Sequence, residues 1–386
     1  MNLDFLTPVK ESVVAHLMLQ PVLSLGKKIT IHSEKEGFPD LENVQIAIFG
    51  VQEDRNSQDN FGCGENLDFI RKKLYELFPG DWQTNIVDLG NICKGNAVSD
   101  TYFAVSEIIT SLLKQHIIPV IIGGGQDITY VNYRAYDALE QTVNITAVDS
   151  RFDLGDLEAE LTSQSYLSKI IMQQPNNLFN FCNVGYQTFF NAQEEIKLLD
   201  ALFFDAYRLG EAKNLENIEP AFRNADIVSI DIGAVRQSEA PANNNASPNG
   251  FYGDEICAIS RYAGISDKVS SFGIYEYNSK YDNQHQTAHL IAQMIWYFIE
   301  GVNARVKDYP FTRKENYQKF TVLLADDDPL TFYKSHKTGR WWIEINILSN
   351  NKYKRHALIP CTYQDYIAAT KEVIPEKWFK AMQKLV

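Results

Sequence analysis

Val143-Asn144-Ile145-Thr146-Ala147-Val148-Asp149-Ser150-Arg151-Phe152-Asp153 is the stretch on which the fold turns. Its first six residues are short, mostly apolar and rich in β-branched side chains, the signature of a strand buried on both faces of a parallel sheet. The next five deliver two carboxylates and a guanidinium at that strand's carboxyl end, where open α/β sheets bind their ligands. Two other segments share this construction. Gly123-Gly124-Gly125-Gln126-Asp127 follows an apolar run over 117–122, and Ser229-Ile230-Asp231-Ile232-Gly233 continues one that begins at Ile227.

Outward from these segments, strand-like and helix-like runs alternate. Residues 44–49 and 85–89 read as strands, and residues 65–78 and 102–116 as helices. In the second helix Val105, Ile108, Ile109, Leu112 and Leu113 fall on one face. Downstream, the pattern predicts helices at 130–140, 193–209 (stopped by Gly210), 254–263 and 286–302. Strands fall at 179–184, 227–232 and 269–275. Such alternation predicts an α/β fold: three αβα layers around a doubly wound, mainly parallel sheet.

Three regions follow. Residues 1–43 form an N-terminal leader with an amphipathic helix near 13–19, residues 44–306 the α/β domain, and residues 307–386 a C-terminal hairpin-plus-helix appendage. In the appendage, Lys337-Thr338-Gly339-Arg340 marks a turn between strands at 330–333 and 341–348. Trp341, Ile343, Ile345 and Ile347 alternate with Trp342, Glu344 and Asn346, which makes one strand face apolar. A last helix over 362–385 breaks near Pro375. Trp341 and Trp342 are expected as core and edge packing, and an exposed member would mark a partner surface. Asp326-Asp327-Asp328 before Pro329 reads as a solvated turn.

The 386 residues, 45% of them hydrophobic, suffice for a substantial core. A net charge of -13 argues against nucleic acid and anionic membrane as partners. Five scattered cysteines without CxxC spacing suit reduced thiols in a cytoplasmic protein. No apolar run is long enough to span a bilayer. His285 and His289 have the i, i+4 spacing of a metal pair but no acidic partner motif, so packed or solvated helix histidines are expected. The glycine triplet lacks the lysine of a P-loop and the spacing of a dinucleotide fingerprint.

Taken together, the three strand-end segments resemble the ureohydrolase family of arginase, agmatinase and formimidoylglutamase. That family carries Gly-Gly-Gly/Ser-His, Asp-Ala-His-x-Asp and Ser-x-Asp-x-Asp in this order. Further markers are the Gly-rich stretch 62–71, Asp88-Leu89-Gly90, Ala240-Pro241, Glu276-Tyr277-Asn278, Asp282 and Thr287-Ala288. Phe152-Asp153-Leu154 and residues 161–171 resemble the formimidoylglutamase branch. The resemblance covers residues 44–302. It implies an arginase-like fold, homo-oligomers, and six ligands for two manganese ions whose bridging hydroxide attacks a guanidinium or amidine carbon. Glu276 matches the position that receives the substrate's cationic group.

Three of the six ligand positions depart from the family. Gln126 and Arg151 stand where histidines are expected, and Gly233 where the last aspartate is expected; Asp149, Asp153 and Asp231 are retained. Carboxylates ~4 Å apart repel by ~4 kcal/mol at an effective dielectric of ~20, so three in one pocket need a counter-charge. Arg151 is expected to supply it by pairing with Asp149 and Asp231. The cofactor expectation is therefore none, or a single divalent ion (Mn or Mg) held by Gln126, Asp149, Asp153 and Asp231. Arg151, Gly233, Glu276, Asn278 and Asp127 are expected to line the pocket, with no catalytic residue assigned. Three functions follow as expectations. The first is a pseudoenzyme acting as a binding or assembly component, meeting a protein partner through the appendage. The second is a formimidoylglutamase-type C–N hydrolase using one metal, and the third a small-molecule sensor in which Arg151 clamps a carboxylate.

Overall fold

The computed structural model describes residues 3–156, 158, 160–309, 314–324, 329–345 and 356–385. Nine strands form the main sheet: β1 (Thr30–Ile31), β2 (Ile46–Val51), β3 (Ile86–Ile92), β4 (Ile118–Ile122), β5 (Val143–Val148), β6 (Leu178–Tyr186), β7 (Asp205–Arg208), β8 (Ile227–Asp231) and β9 (Ser271–Tyr275). They lie in the order β1-β3-β2-β4-β9-β8-β5-β6-β7, with every pairing parallel. After β4 the chain leaves a gap, builds β5 to β7, then returns to insert β8 and β9 into that gap. The carboxyl ends of β4, β9, β8 and β5 thus sit side by side, and all three strand-end segments open on one crevice.

Residues of β2, β4, β5 and β9 are buried throughout, as apolar runs covered on both faces must be. One face packs helices Glu11–Met18, Asp68–Glu76, Leu215–Asn224, Gly253–Ile265 and Gln286–Asn303; the other packs Val98–Lys114, Ile128–Ala135, Tyr166–Met172 and Gln193–Ala201. The helix of the leader belongs to this core through Val13 and Leu17, and β1 pairs with β3. Arg71 and Asp88, two of the resemblance markers, form a buried ion pair at 2.8 Å. Arg71 also donates to Asn91 Oδ1 and the Gly90 carbonyl, so its charge is paired and its remaining donors are satisfied.

The segment over 193–224 differs from expectation in two respects and adds a helix that the sequence pattern did not predict. The helix expected over 193–209 ends at Ala201; Phe203 takes φ 56°, the chain turns, and Asp205–Arg208 forms the edge strand β7. Gly210 lies inside the following short helix Leu209–Ala212 and stops nothing. Leu215–Asn224 is helical despite Pro220, because its buried face of Ile218 and Phe222 outweighs one missing backbone donor.

The C-terminal part forms a separate antiparallel sheet: β10 (Tyr317–Leu323), β11 (Pro329–Ser335), β12 (Trp341–Glu344) and β13 (Leu358–Cys361). β11 and β12 are the expected hairpin. Two helices follow, Tyr363–Ala369 and Glu376–Gln383, separated at Pro375. Asp326, Asp327, Asp328, Asn346, Ile347 and Leu348 lie outside the described residues. Trp341 packs in this unit's own core, while Trp342 on the opposite face is also buried, under Tyr309, Tyr317 and the Arg223 guanidinium, 4.7 Å from its ring. Neither tryptophan is an exposed marker. Arg223 also donates to the carbonyls of Trp341 (2.9 Å) and Cys361 (3.0 Å), which pins the unit to helix Leu215–Asn224. Among the described residues, no helix is long and apolar enough to cross a membrane.

Lys384 joins this unit to the start of β6. Its Nζ bonds Asn180 and lies 5.3 Å from the Phe204 ring centroid. Burial pulls its pKa down to about 8, against the opposing attraction of Asp205. The unfolded chain holds this proton up to its ordinary value of 10.5 while the folded chain releases it from about 8. This group therefore opposes folding below pH 8, and the opposition fades as pH rises toward 10.5. Relative to the parent, Lys384→Met is expected to show a more favourable Tm at neutral pH than at pH 10, the difference being roughly 2–4 °C for ~1 kcal/mol in a large domain. A pH-independent Tm difference in thermal melts would contradict this.

Candidate functional site

The central crevice collects its side chains in two layers. Asp149 and Gln126 lie deepest, each almost fully buried. Asp153, Asp231, Gly233, Glu276 and Arg151 line the cavity above them. The cavity measures about 30 Å³, enough for a water-sized occupant. Gln58, Ser163, Gln164, Asn245 and Phe190 also line it. The loops that carry these residues are tied together: Gln58 N donates to Ser163 Oγ, Asn245 Nδ2 to the Gln58 carbonyl, and Asn244 N to Asn60 Oδ1.

Two of the acids hold strained backbones, Asp153 at φ 53° and Glu276 at φ 66°. A left-handed conformation at a residue other than glycine persists only where its surroundings enforce it, and such residues concentrate at sites of binding or chemistry. Glu276 shows the enforcement. Its Oε2 accepts from Ser57 (2.7 Å) and Asn60 (2.7 Å), its Oε1 from the Gln126 backbone (3.0 Å), and its own N–H donates to the Gly124 carbonyl. Burial raises the Glu276 pKa, while the donors from Asn60, Ser57 and Gln126 oppose the rise.

The three aspartates crowd together and perturb one another. Asp149 and Asp153 stand close enough to shift each other's pKa. Burial raises the Asp149 pKa, opposed by Asp153, by the Arg151 N–H (2.8 Å) and by the Gln126 amide. Burial and then the Asp149 charge push Asp153 well above the carboxylate range, and burial, Asp149 and Glu276 do the same to Asp231. Asp231 Oδ1 accepts from Gly233 N at 2.6 Å. Two buried oxygens, Asp149 Oδ2 and Gln126 Oε1, have no hydrogen-bond partner in the protein. Among the described residues, no three His, Cys, Asp or Glu side chains are placed to share one ion.

Arg151 does not pair with Asp149 or Asp231 as expected. Its guanidinium lies 4.5 Å from the Phe190 ring centroid and donates to the Phe190 carbonyl at 3.4 Å. The aromatic face and the carbonyl hold it at little desolvation cost. Its remaining influence on the three aspartates is a charge that lowers their pKa.

Two residues expected in the pocket lie outside its lining. Asn278 donates to Asn60 Oδ1 and the Phe61 carbonyl and so ties the 60s loop to the end of β9. Asp127 is fully buried behind the cavity, where its Oδ2 accepts a short 2.5 Å bond from the Tyr102 hydroxyl. Burial raises its pKa to about 7 against the Tyr102 bond. Asp282, another marker, caps helix Gln286–Asn303 by accepting from Thr287 N and Ala288 N. His285 packs on Phe69 (ring centroids 4.0 Å apart) and His289 is exposed, so the two form no pair. Ser57, Asn60, Ser163 and Phe190 were not singled out from the sequence. The one signal they carried was membership of loops that follow buried strands into this crevice.

A parallel sheet that gathers its acids at one carboxyl edge defines an α/β protein with its site at the topological switch point. More particularly, the chain belongs to the arginase family, whose sequence profile matches residues 44–300. The formimidoylglutamase of Staphylococcus aureus strain MRSA252 is 23% identical over 289 residues, covering 70% of this chain and 92% of that protein. Trypanosoma cruzi formiminoglutamase crystallised with Mn2+ superposes with a TM-score of 0.63 at 18% identity, covering 69% of this chain and 96% of that one. Bacillus subtilis formimidoylglutamase gives 0.63 at 18% identity, over 69% and 90% of the two chains. Within the family the likeness is to formimidoylglutamases. The four-stranded C-terminal sheet lies beyond the family match.

Asn60 joins the loop, Glu276 and Asn278, so its loss removes one of two donors to Glu276 Oε2 and the side-chain acceptor used by Asn278 Nδ2 and Asn244 N. Asn60→Ala is expected to destabilise the chain by ~2–3 kcal/mol, the cost of unanswered buried polar groups. Denaturant melts that match the parent would contradict this role.

Proposed function

We propose that this arginase-family chain has given up two-metal hydrolysis and acts as a binding or assembly component. The observation that carries this reading is the ligand set around the 30 Å³ cavity. By the family's pattern one ion position keeps oxygen donors in Gln126, Asp149, Asp153 and Asp231, a hard set of the kind Mn2+ or Mg2+ takes, although among the described residues no three acids stand close enough to share an ion without rearrangement. The second does not fit an ion, because Gly233 brings no donor and Arg151 brings a permanent cation. Small-molecule pockets usually measure ~300–1,000 Å³, so the cavity also lacks room for an amidine substrate without loop opening. In this reading the acids are neutralised by protons or by one ion, and the assembly role falls to the C-terminal unit, by self-association or with a protein partner.

A second reading, a one-ion C–N hydrolase of formimidoylglutamase type, is favoured by Asp149 Oδ2 and Gln126 Oε1. Both are buried and without hydrogen-bond partners, as oxygens awaiting a cation would be. An ion there would supply Lewis acidity. Glu276, fixed by its donors, would face the cationic end of a substrate, and Arg151 at the rim its carboxylate.

Turnover separates the two. Purified protein supplied with Mn2+ is expected to show background rates on formimidoylglutamate, arginine and agmatine. Turnover that Asp231→Ala abolishes would overturn the proposal and establish the second reading. Reversal of the three changes (Gln126→His, Arg151→His, Gly233→Asp) is expected to raise Mn2+ stoichiometry, measured by calorimetry. A Cβ at position 233 meets Asp231 Oδ1 at 3.1 Å and Asn243 Nδ2 at 3.3 Å, so a side chain fits after a small shift. An unchanged stoichiometry would show that more than these three side chains excludes the ion.

A further inference from the structure

A larger concavity of about 460 Å³ opens on the same sheet edge, walled by the ends of β6 and β7 and by the loop around Arg236 and Gly250. Arg208, Lys213 and Arg236 line it, against one acid, Glu211. In a chain with 49 acidic and 36 basic residues, this inverts the average balance. Among the described residues, Arg208 and Arg236 form no ion pair with a carboxylate, whereas Lys213 Nζ lies 3.9 Å from Glu255 Oε2. The Arg236 guanidinium and the Lys213 ammonium both stand over the Tyr252 ring, at 3.6 and 4.6 Å from its centroid, which holds two cations in place without neutralising them.

Two lining residues carry orphaned atoms. Arg236 Nε and Thr188 Oγ1 are buried and have no hydrogen-bond partner. An unanswered buried donor is costly, and anionic oxygens would satisfy it. The cavity also has an apolar platform: Phe189 is 69% exposed and braced edge-to-face against Phe190 at 4.7 Å. Phe190 is the ring beneath Arg151, so the turn Thr188–Phe190 is the shared wall of this concavity and the acidic cavity.

We infer that this concavity is a binding site for a small organic oxyanion carrying at least two negative charges and a flat apolar part. The oxyanion sits on Arg208 and Arg236, where guanidinium forks match phosphate or carboxylate oxygens. The flat part lies on Phe189. The residues involved are not those of the acidic cavity, so the inference stands or falls independently of the function proposed above.

Calorimetry on the full chain at low ionic strength tests it, with AMP, pyrophosphate and citrate as probes. AMP is expected to bind saturably at one site per chain. Arg208→Ala, at an exposed position, and Arg236→Gln are each expected to weaken it about tenfold. Phe189→Ala is expected to weaken AMP and leave pyrophosphate unchanged. Citrate binding without AMP binding would overturn the ring platform, and pyrophosphate binding as tightly as AMP would do the same. Absence of saturable binding of all three in the millimolar range, or AMP binding that survives Arg208→Ala combined with Arg236→Gln, would overturn the site itself.

Discussion

Carboxylates buried together must find positive charge or take up protons, and that constraint governs the central crevice. In the proposed reading Asp149, Asp153 and Asp231 match ligand positions of the family pattern, while Gln126, Arg151 and Gly233 depart from it. The fold leaves the acids no escape. Asp149 and Asp231 end adjacent buried strands, and Asp153 is fixed in a left-handed backbone. Their upward pKa shifts are the direct consequence, with burial the leading cause for each. Arg151 does not offset the acids by pairing: Phe190 holds its guanidinium at the rim.

Much of this was legible in the sequence, for physical reasons. The apolar runs that become β4, β5, β8 and β9 are covered on both faces, so their composition alone betrays them. The strand-end motifs then place Gln126, Asp149, Asp153, Asp231 and Glu276 in one crevice, because parallel strands deliver their carboxyl ends together. Less was legible at the edge. β7 is only partly buried and carries no clear alternation, and the left-handed turn at Phe203 that separates it from the preceding helix has no glycine to announce it. Pro220 likewise disguised a helix whose stability comes from packing.

Side-chain direction was the hardest thing to read. An arginine among acids suggests an ion pair, but the balance depends on whether those acids are ionised, which depends on burial that sequence does not display. Trp342 made the same point: alternation put it on the face opposite the apolar core, yet the docking of the C-terminal unit through Arg223 buries that face as well. Asn278 and Asp282, singled out by resemblance, serve the architecture, one tying a loop and the other capping a helix.

The central claim is that the crevice accommodates at most one divalent ion. Electron paramagnetic resonance of the protein titrated with Mn2+ tests it most directly, because isolated and paired ions give different spectra. The account predicts saturation at no more than one Mn2+ per chain, with the signal of an isolated ion that Asp153→Ala removes. A spin-coupled pair at two Mn2+ per chain would contradict it.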